Sequence, residues 1–216
     1  MRPAFVVTGT DTDVGKTVLA AALVAALDGC YWKPVQAGLA EETDAEIVRR
    51  LGRVSADRII PEVYRLTTAA SPHLAAERDG IEIDVERLAT LPLEGGARPL
   101  VIEGAGGLMV PLNRRFLQID LFGRWGVPVI LCASTRLGTI NHSLLSIEAL
   151  KRRGVPLLGI AFVGEEQADS ERTIVEMGGV RRLGRLRRLD PLDAASLRAA
   201  FEHSFRRSDF LAGVTT

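Results

Sequence analysis

Thr8-Gly9-Thr10-Asp11-Thr12-Asp13-Val14-Gly15-Lys16-Thr17 stands between the apolar run Ala4-Phe5-Val6-Val7 and the helix-forming run Val18 to Leu27. A strand, a glycine-bounded loop and a helix in that order gather several backbone N–H groups and a helix N-terminus around one point, which attracts an anion. The stretch reads as a phosphate cradle. In this motif Lys16 brings a point charge to the outer phosphates and Thr17 a hydroxyl to Mg²⁺. Five residues separate Gly9 from Gly15 where the common motif has four, which points to a longer-looped subfamily.

A chain of 216 residues suits one α/β domain and is long enough to bury a core without staples. Lys+Arg and Asp+Glu each number 27, so no global field draws the protein to nucleic acid or to an anionic membrane. Cys30 and Cys132 both fall in apolar runs and read as buried thiols in a reducing cytoplasm. No apolar run approaches the ~18 residues of a membrane span, and a strand begins almost at once, so neither anchor nor leader is expected.

Beyond the cradle, Val18 to Leu27 is almost wholly apolar, which a helix tolerates only when covered on most sides. Gly29 closes it, and Cys30-Tyr31-Trp32 leads into Lys33-Pro34-Val35-Gln36-Ala37-Gly38, a short strand ending in a Pro/Gly loop. Thr43 reads as the N-cap of a helix running to about Leu51. Pro61 to Leu66 alternates as a strand does, Ser71-Pro72-His73 opens a helix toward Arg78, and a polar helix over 84–91 leads into a loop over 92–98. Pro99-Leu100-Val101-Ile102-Glu103 is a buried-type strand ending in an acid, followed by a Gly104-Ala105-Gly106-Gly107 turn. Further helices are predicted over 116–125, 139–152, 172–177 and 194–205, and strands over 127–133, 155–163 and 180–186. Arg181, Arg182, Arg185, Arg187 and Arg188 are striped by leucines and read as a solvated face.

Strands alternating with helices through long crossovers imply a single-domain α/β fold of the P-loop NTPase type, a mainly parallel sheet with helices on both faces. The cradle, Lys33 and Glu103 then share the carboxyl edge, where open parallel sheets bind ligands. Glu103 would offer an anionic oxygen to a hard cation that bridges phosphates. Asp44 reads either as a helix-dipole partner or as a site carboxylate. Gly138-Thr139-Ile140-Asn141-His142 gives its helix an N-terminus suited to a carboxylate, or one capped by Thr139 or Asn141.

Val7 to Thr17, Lys33-Pro34-Val35, Thr43-Asp44-Ala45, Ser71-Pro72-His73, Val101 to Gly107 and Leu137 to His142 together resemble the dethiobiotin synthetases over most of the chain. The resemblance implies a homodimer with diaminopelargonate bound across the subunit interface. One amine takes up CO₂ as a carbamate, the carbamate attacks the γ-phosphate of ATP, and the second amine closes the ring. Lys33 and Lys16 are implied as catalytic, and Thr17, Asp44 and Glu103 as holders of Mg²⁺. The implied nucleotide site comprises Thr12, Asp13, Val14, Gly15, Lys16, Thr17, Val18, Asp44, Glu103, Gly104, Ala105, Gly106 and Gly164. Substrate contacts are implied for Lys33, Ala37, Gly106 and Gly107 and, across the interface, for Gly138, Thr139 and Asn141.

Three positions depart from that family's pattern. Ala37 stands where a serine is frequent, Asp13 where a longer Glu is usual, and Gly164 where an adenine-reading asparagine is expected. The last implies a relaxed base preference, with other nucleoside triphosphates replacing ATP. A partitioning or positioning ATPase of similar fold would carry a lysine between Gly9 and Gly15, and none is present. A cobalamin-pathway amidoligase would add a glutaminase domain for which no room is left.

Overall fold

Alternate residues of the first apolar run enter different cores, as a strand buried on both faces requires. Phe5 and Val7 fall in a cluster with Leu19, Leu23, Val48 and Phe201, whereas Ala4 and Val6 fall in one with Trp32, Phe122, Leu150 and Phe162. The computed structural model describes residues 3–93 and 96–211; residues 94 and 95 of the expected 92–98 loop lie outside the described residues. The chain runs β1 (Ala4–Gly9), α1 (Lys16–Ala26), β2 (Cys30–Trp32), β3 (Val35–Ala37), α2 (Asp44–Gly52), β4 (Ile59–Ile60), β5 (Tyr64–Leu66), α3 (Pro72–Arg78) and α4 (Val85–Ala89). It continues through β6 (Leu100–Gly107), β7 (Pro111–Asn113), β8 (Phe116–Leu117), α5 (Gln118–Trp125), β9 (Val129–Ser134), α6 (Thr139–Arg152), β10 (Leu157–Val163), α7 (Ala168–Gly178), β11 (Arg182–Leu186), α8 (Ala194–Ser204) and α9 (Ser208–Leu211).

Seven strands form one sheet in the order β11-β10-β9-β1-β6-β2-β4, with every pairing parallel. β1 lies between β6 and β9, so the chain leaves it first toward β2 and later toward β10. That reversal opens a crevice at its carboxyl end. The alanine-rich α1 buries Leu19 through Val24, because small side chains let it sit close under the sheet. At the other end of the chain, Phe210 packs its ring 6.3 Å from Phe5 and 6.0 Å from Phe201, pinning α9 to the α1-side core.

Four sequence expectations change. Pro34, lacking an N–H for a ladder, separates two strands: β2 stays in the main sheet, while β3 pairs with β5 in a small parallel sheet of its own. β6 does not turn at Gly104 but runs on to Gly107. Val7 pairs with Glu103 and Gly9 with Gly107, so β6 takes four steps while β1 takes two, which makes a bulge beside the cradle. The helix expected from Phe116 begins at Gln118, because Phe116 and Leu117 pair antiparallel with β7. The arginine stripe is not uniformly solvated, since Arg182 and Arg185 both turn to the buried carboxylate of Glu171.

Candidate active site

Gly15 caps α1 from a left-handed conformation, φ 96°, and a Cβ there would press on Val163 at 2.8 Å. At Gly9 a Cβ would lie 2.7 Å from the Asp11 carbonyl oxygen and 3.0 Å from Lys16 Nζ. Gly9 is therefore demanded by the loop's own closeness, and Gly15 by its left-handed backbone and the nearness of Val163 at the end of β10. α1 starts at Lys16, so its unpaired N–H groups face the loop, and Lys16 folds across it to donate to the Asp11 carbonyl at 2.8 Å.

The remaining groups arrive by register. β2 and β6 pair Tyr31 with Val101 and Trp32 with Ile102, so Lys33, next along the chain, comes level with Glu103. Period-two alternation puts Tyr31, Val101 and Glu103 on the α1 face. Asp44 comes from the first turn of α2. A capping box fixes that turn, with Thr43 accepting from the Glu46 amide and the Glu46 carboxylate accepting from the Thr43 amide at 2.7 Å. Asp44 thus stands where an acid complements the dipole of α2.

Thr17 Oγ1 stands 2.8 Å from Glu103 Oε1 and 2.9 Å from Asp44 Oδ1. The Lys33 ammonium contacts Asp44 Oδ2 and lies 3.5 Å from Glu103 Oε1, while the Tyr31 phenol donates to Glu103 Oε2 at 2.9 Å. A single hydroxyl hydrogen cannot serve two carboxylates at once. The three converging oxygens of Thr17, Asp44 and Glu103 form a hard donor set that fits Mg²⁺, which uses one or two carboxylates and completes its shell with phosphate oxygens and water.

Burial raises the pKa of Glu103, and the attraction of Lys33 does not fully offset it. For Lys33, burial lowers the pKa, but the carboxylates of Glu103 and Asp44 outweigh that, so its pKa is raised and the amine stays charged. Burial also lowers the pKa of Lys16, despite the opposing pull of Glu103. The charges of Glu103, Lys33 and Asp44 also act on Lys16, whose neighbour Thr17 contacts both carboxylates. A charge left undercompensated in this way is one an incoming anion would satisfy.

Other sequence-predicted residues surround this cluster. Thr12 and Asp13 are exposed on the loop, Val14 is buried, and Val18 is half-buried one turn into α1. Gly104, Ala105, Gly106 and Gly107 form the end of β6, with the Thr12 hydroxyl close to Gly106. Ala37 ends β3, off the main sheet. Gly164 follows β10, and Gly138 caps α6, both on the far side of β1 from Lys33. Thr139 is buried with its hydroxyl donating to the Ser134 carbonyl, while Asn141 is exposed. Among the described residues no side-chain hydrogen bond caps the α6 N-terminus.

Two site residues escaped the sequence reading. Tyr31 had a signal, since it precedes Lys33 by two and shares its face. Gln118 had none. It is buried at the start of α5, where Oε1 accepts from the Ala105 amide at 2.7 Å and Nε2 donates to the Gly107 carbonyl at 3.2 Å, clamping the glycine segment.

A family model described as an AAA domain matches residues 3–196. A protein of Rhodopseudomonas palustris (strain TIE-1) named ATP-dependent dethiobiotin synthetase BioD is 63% identical over 211 residues, covering 98% of each chain. One of the same name from Nitrobacter hamburgensis is 59% identical over 213 residues, covering 99% of each. Among solved structures, the MinC:MinD cell division complex of Aquifex aeolicus matches with a TM-score of 0.57 at 12% identity, covering 99% of this chain and 97% of that one. A ParA family ATPase of Chlorobium tepidum matches with a TM-score of 0.54 at 11% identity, covering 94% and 91%. Those likenesses establish the parallel P-loop fold alone, whereas the extent and identity of the sequence matches decide the family. The chain belongs to the ATP-dependent dethiobiotin synthetases.

Proposed function

We propose that the chain catalyses the ATP- and Mg²⁺-dependent carboxylation and ring closure of diaminopelargonate with CO₂, giving dethiobiotin, ADP and phosphate. The observation that carries this reading is the convergence of the Lys33 ammonium with the oxygens of Thr17, Asp44 and Glu103, at the sheet edge where Lys16 opens α1 and folds across the cradle.

One amine of diaminopelargonate adds to CO₂ and loses a proton, leaving a carbamate. A carbamate and a triphosphate repel one another. Lys33, held charged by its carboxylate neighbours, neutralises the carbamate, and Lys16 gathers charge from the phosphates, so that the two anions meet in line. The carbamate oxygen bonds to the γ-phosphorus as the bond to the bridging oxygen breaks and ADP leaves. The second amine then attacks the carbonyl carbon of the mixed anhydride, phosphate departs with the bonding electrons, and the attacking amine releases its proton. Mg²⁺, held by Thr17, Asp44 and Glu103, supplies further charge neutralisation to the triphosphate when bound.

The uncapped N-terminus of α6 suits the substrate carboxylate. Leu137 and Leu145, apolar and exposed beside it, are groups a second copy would cover, which supports a homodimer with substrate at the interface. With the γ-phosphate at Lys33, the nucleoside is directed over the ends of β9, β10 and β11. Gly164 there presents no side chain to a base, which supports use of other nucleoside triphosphates. Two free cysteines suit a reducing cytoplasm, and among the described residues no helix is long and apolar enough to cross a membrane.

Purified protein incubated with diaminopelargonate, bicarbonate and MgATP tests the reading. Substrate-dependent phosphate release with a cyclic urea as product is the expected result. Hydrolysis stimulated only by DNA or lipid would overturn it in favour of a nucleotide switch.

A further inference from the structure

Ala22, Ala25 and Ala26 recur at helical spacing and give the last turns of α1 a face of small side chains. Across from them stand Leu197 and Phe201 of α8 and Phe205 just past it, the two phenylalanine rings stacked with centroids 5.0 Å apart. The end of α2 closes the third side. At Gly52 a Cβ would lie 3.2 Å from the Ala21 carbonyl oxygen, so α2 rests there on the α1 backbone. Alanines are too short to fill the space that the phenylalanines leave, and a cavity of about 700 Å³ remains between the three helices.

The charged residues that line it are Arg53, Arg198 and Arg207 against a single carboxylate, Glu202. All four are exposed, so they stand at its rim. Arg198 donates from Nε to Glu202 at 2.9 Å, one turn along α8, and these two charges offset each other. Arg53 and Arg207 remain as the cationic surplus, although Arg53 also acts on the Asp193 carboxylate at the start of α8. The cavity lies at the far end of α1 from Lys16, about 15 Å along the helix from the cradle.

We infer that this cavity is a second ligand site, separate from the catalytic edge, and that it takes a medium-chain aliphatic carboxylate. Its volume falls in the range of small-molecule sites. A hydrocarbon chain covers apolar wall that water would otherwise wet, and the carboxylate meets the surplus of guanidinium groups at the rim. A fully polar anion would leave the phenylalanine wall wet. An amphipathic cation would meet Arg53 and Arg207 as like charges. The inference does not depend on the reaction proposed above.

The test titrates the full chain with octanoate and decanoate by isothermal calorimetry, with and without saturating MgADP and diaminopelargonate. Decanoate is expected to bind one site per chain with a Kd of about 1 mM or below, unchanged by the other ligands. Octanoate should bind about tenfold more weakly, the effect of two methylenes. Decyltrimethylammonium, a cation of the same chain length, should bind several-fold more weakly than decanoate. Arg207→Gln is expected to raise the decanoate Kd about two- to fivefold, the effect of one exposed charge pair. Ala25→Phe, which fills the cavity, is expected to abolish binding, and both variants should keep wild-type turnover. Arg207 is exposed, so its variant tests the site even where Ala25→Phe disturbs packing. No saturable binding, displacement of decanoate by diaminopelargonate, or constants indifferent to both variants would overturn the inference. So would decanoate binding that appears only after removal of residues 212–216, or a dimer that Ala25→Phe dissociates, since these give the groove to that segment or to a second copy.

Discussion

The phenol of Tyr31 donates to Glu103 Oε2 at 2.9 Å, and the two residues meet because β2 and β6 place them on one face of the sheet. One carboxylate oxygen is thereby fixed, and the other turns to Thr17 and Lys33. Burial, followed by the nearby charge of Glu103, raises the Tyr31 pKa well above its ordinary value, so the phenol remains a donor at working pH. Tyr31 thus orients the carboxylate without cancelling its charge.

Tyr31→Phe leaves Glu103 Oε2 buried without its donor. A stability loss of about 1–3 kcal/mol is expected, the range for a buried acceptor deprived of its partner. Denaturant titration measures it. A Mg²⁺ titration of turnover is expected to show a higher requirement for the ion, and unchanged values in both assays would remove Tyr31 from the site's support.

Lys33→Met takes the cation from between two carboxylates. Turnover is expected to fall roughly a thousandfold, as when a preorganised charge is lost from a reacting centre. The variant still folds, with a stability loss of about 3 kcal/mol above neutral pH. Glu103 already has a folded pKa above its unfolded value, so its ionisation weighs against folding at high pH, and that burden lifts as pH falls through the folded pKa. Without Lys33 the folded pKa rises further, so the stability gap between variant and wild type should narrow on acidification. Chemical denaturation on either side of neutrality reads this directly, and a gap that widens in acid would contradict it.

Lys16→Met is expected to abolish nucleotide binding while stabilising the unliganded protein. The folded pKa of Lys16 is depressed by burial, so its charge weighs against folding below that pKa, and the burden is relieved as pH rises toward the unfolded value. A gain of about 1 kcal/mol at neutral pH corresponds to roughly 2–4 °C in melting temperature for a chain of this size. Calorimetry with and without MgADP distinguishes the two effects. A lower melting temperature would show that the bond to the Asp11 carbonyl outweighs the burial of charge.

Gln118→Leu strips the Ala105 amide and the Gly107 carbonyl of their partner at once. About 1–3 kcal/mol of stability should be lost. The loosened glycine segment should raise KM for diaminopelargonate more than KM for ATP. Steady-state kinetics with each substrate varied in turn checks that ordering, and an equal rise in both would point to general loosening instead.

The cradle, the parallel α/β fold and the carboxyl-edge placement of Lys33 and Glu103 were legible in the sequence because each depends on neighbours along the chain. Glycines at two loop positions, a Lys-Thr pair opening an apolar helix, and buried-type strands separated by long crossovers leave little choice of architecture. What the sequence could not settle was which side chains meet. Lys33 and Glu103 touch because β2 pairs with β6 in one register, a match between residues 70 positions apart. Strands as short as β4 and β8 carry too few residues for a periodic signal, and Gln118 has no local pattern, because its partners lie in the bulged end of another strand. Asp44 stayed ambiguous for the same reason, since a first-turn acid reads alike whether it faces solvent or a site. The sequence by itself determined that a glycine-bounded loop and a helix N-terminus, a geometry suited to an anion, follow the first strand. Only the tertiary structure decided which charges surround that point, because pairing register and helix packing set distances that chain order does not encode.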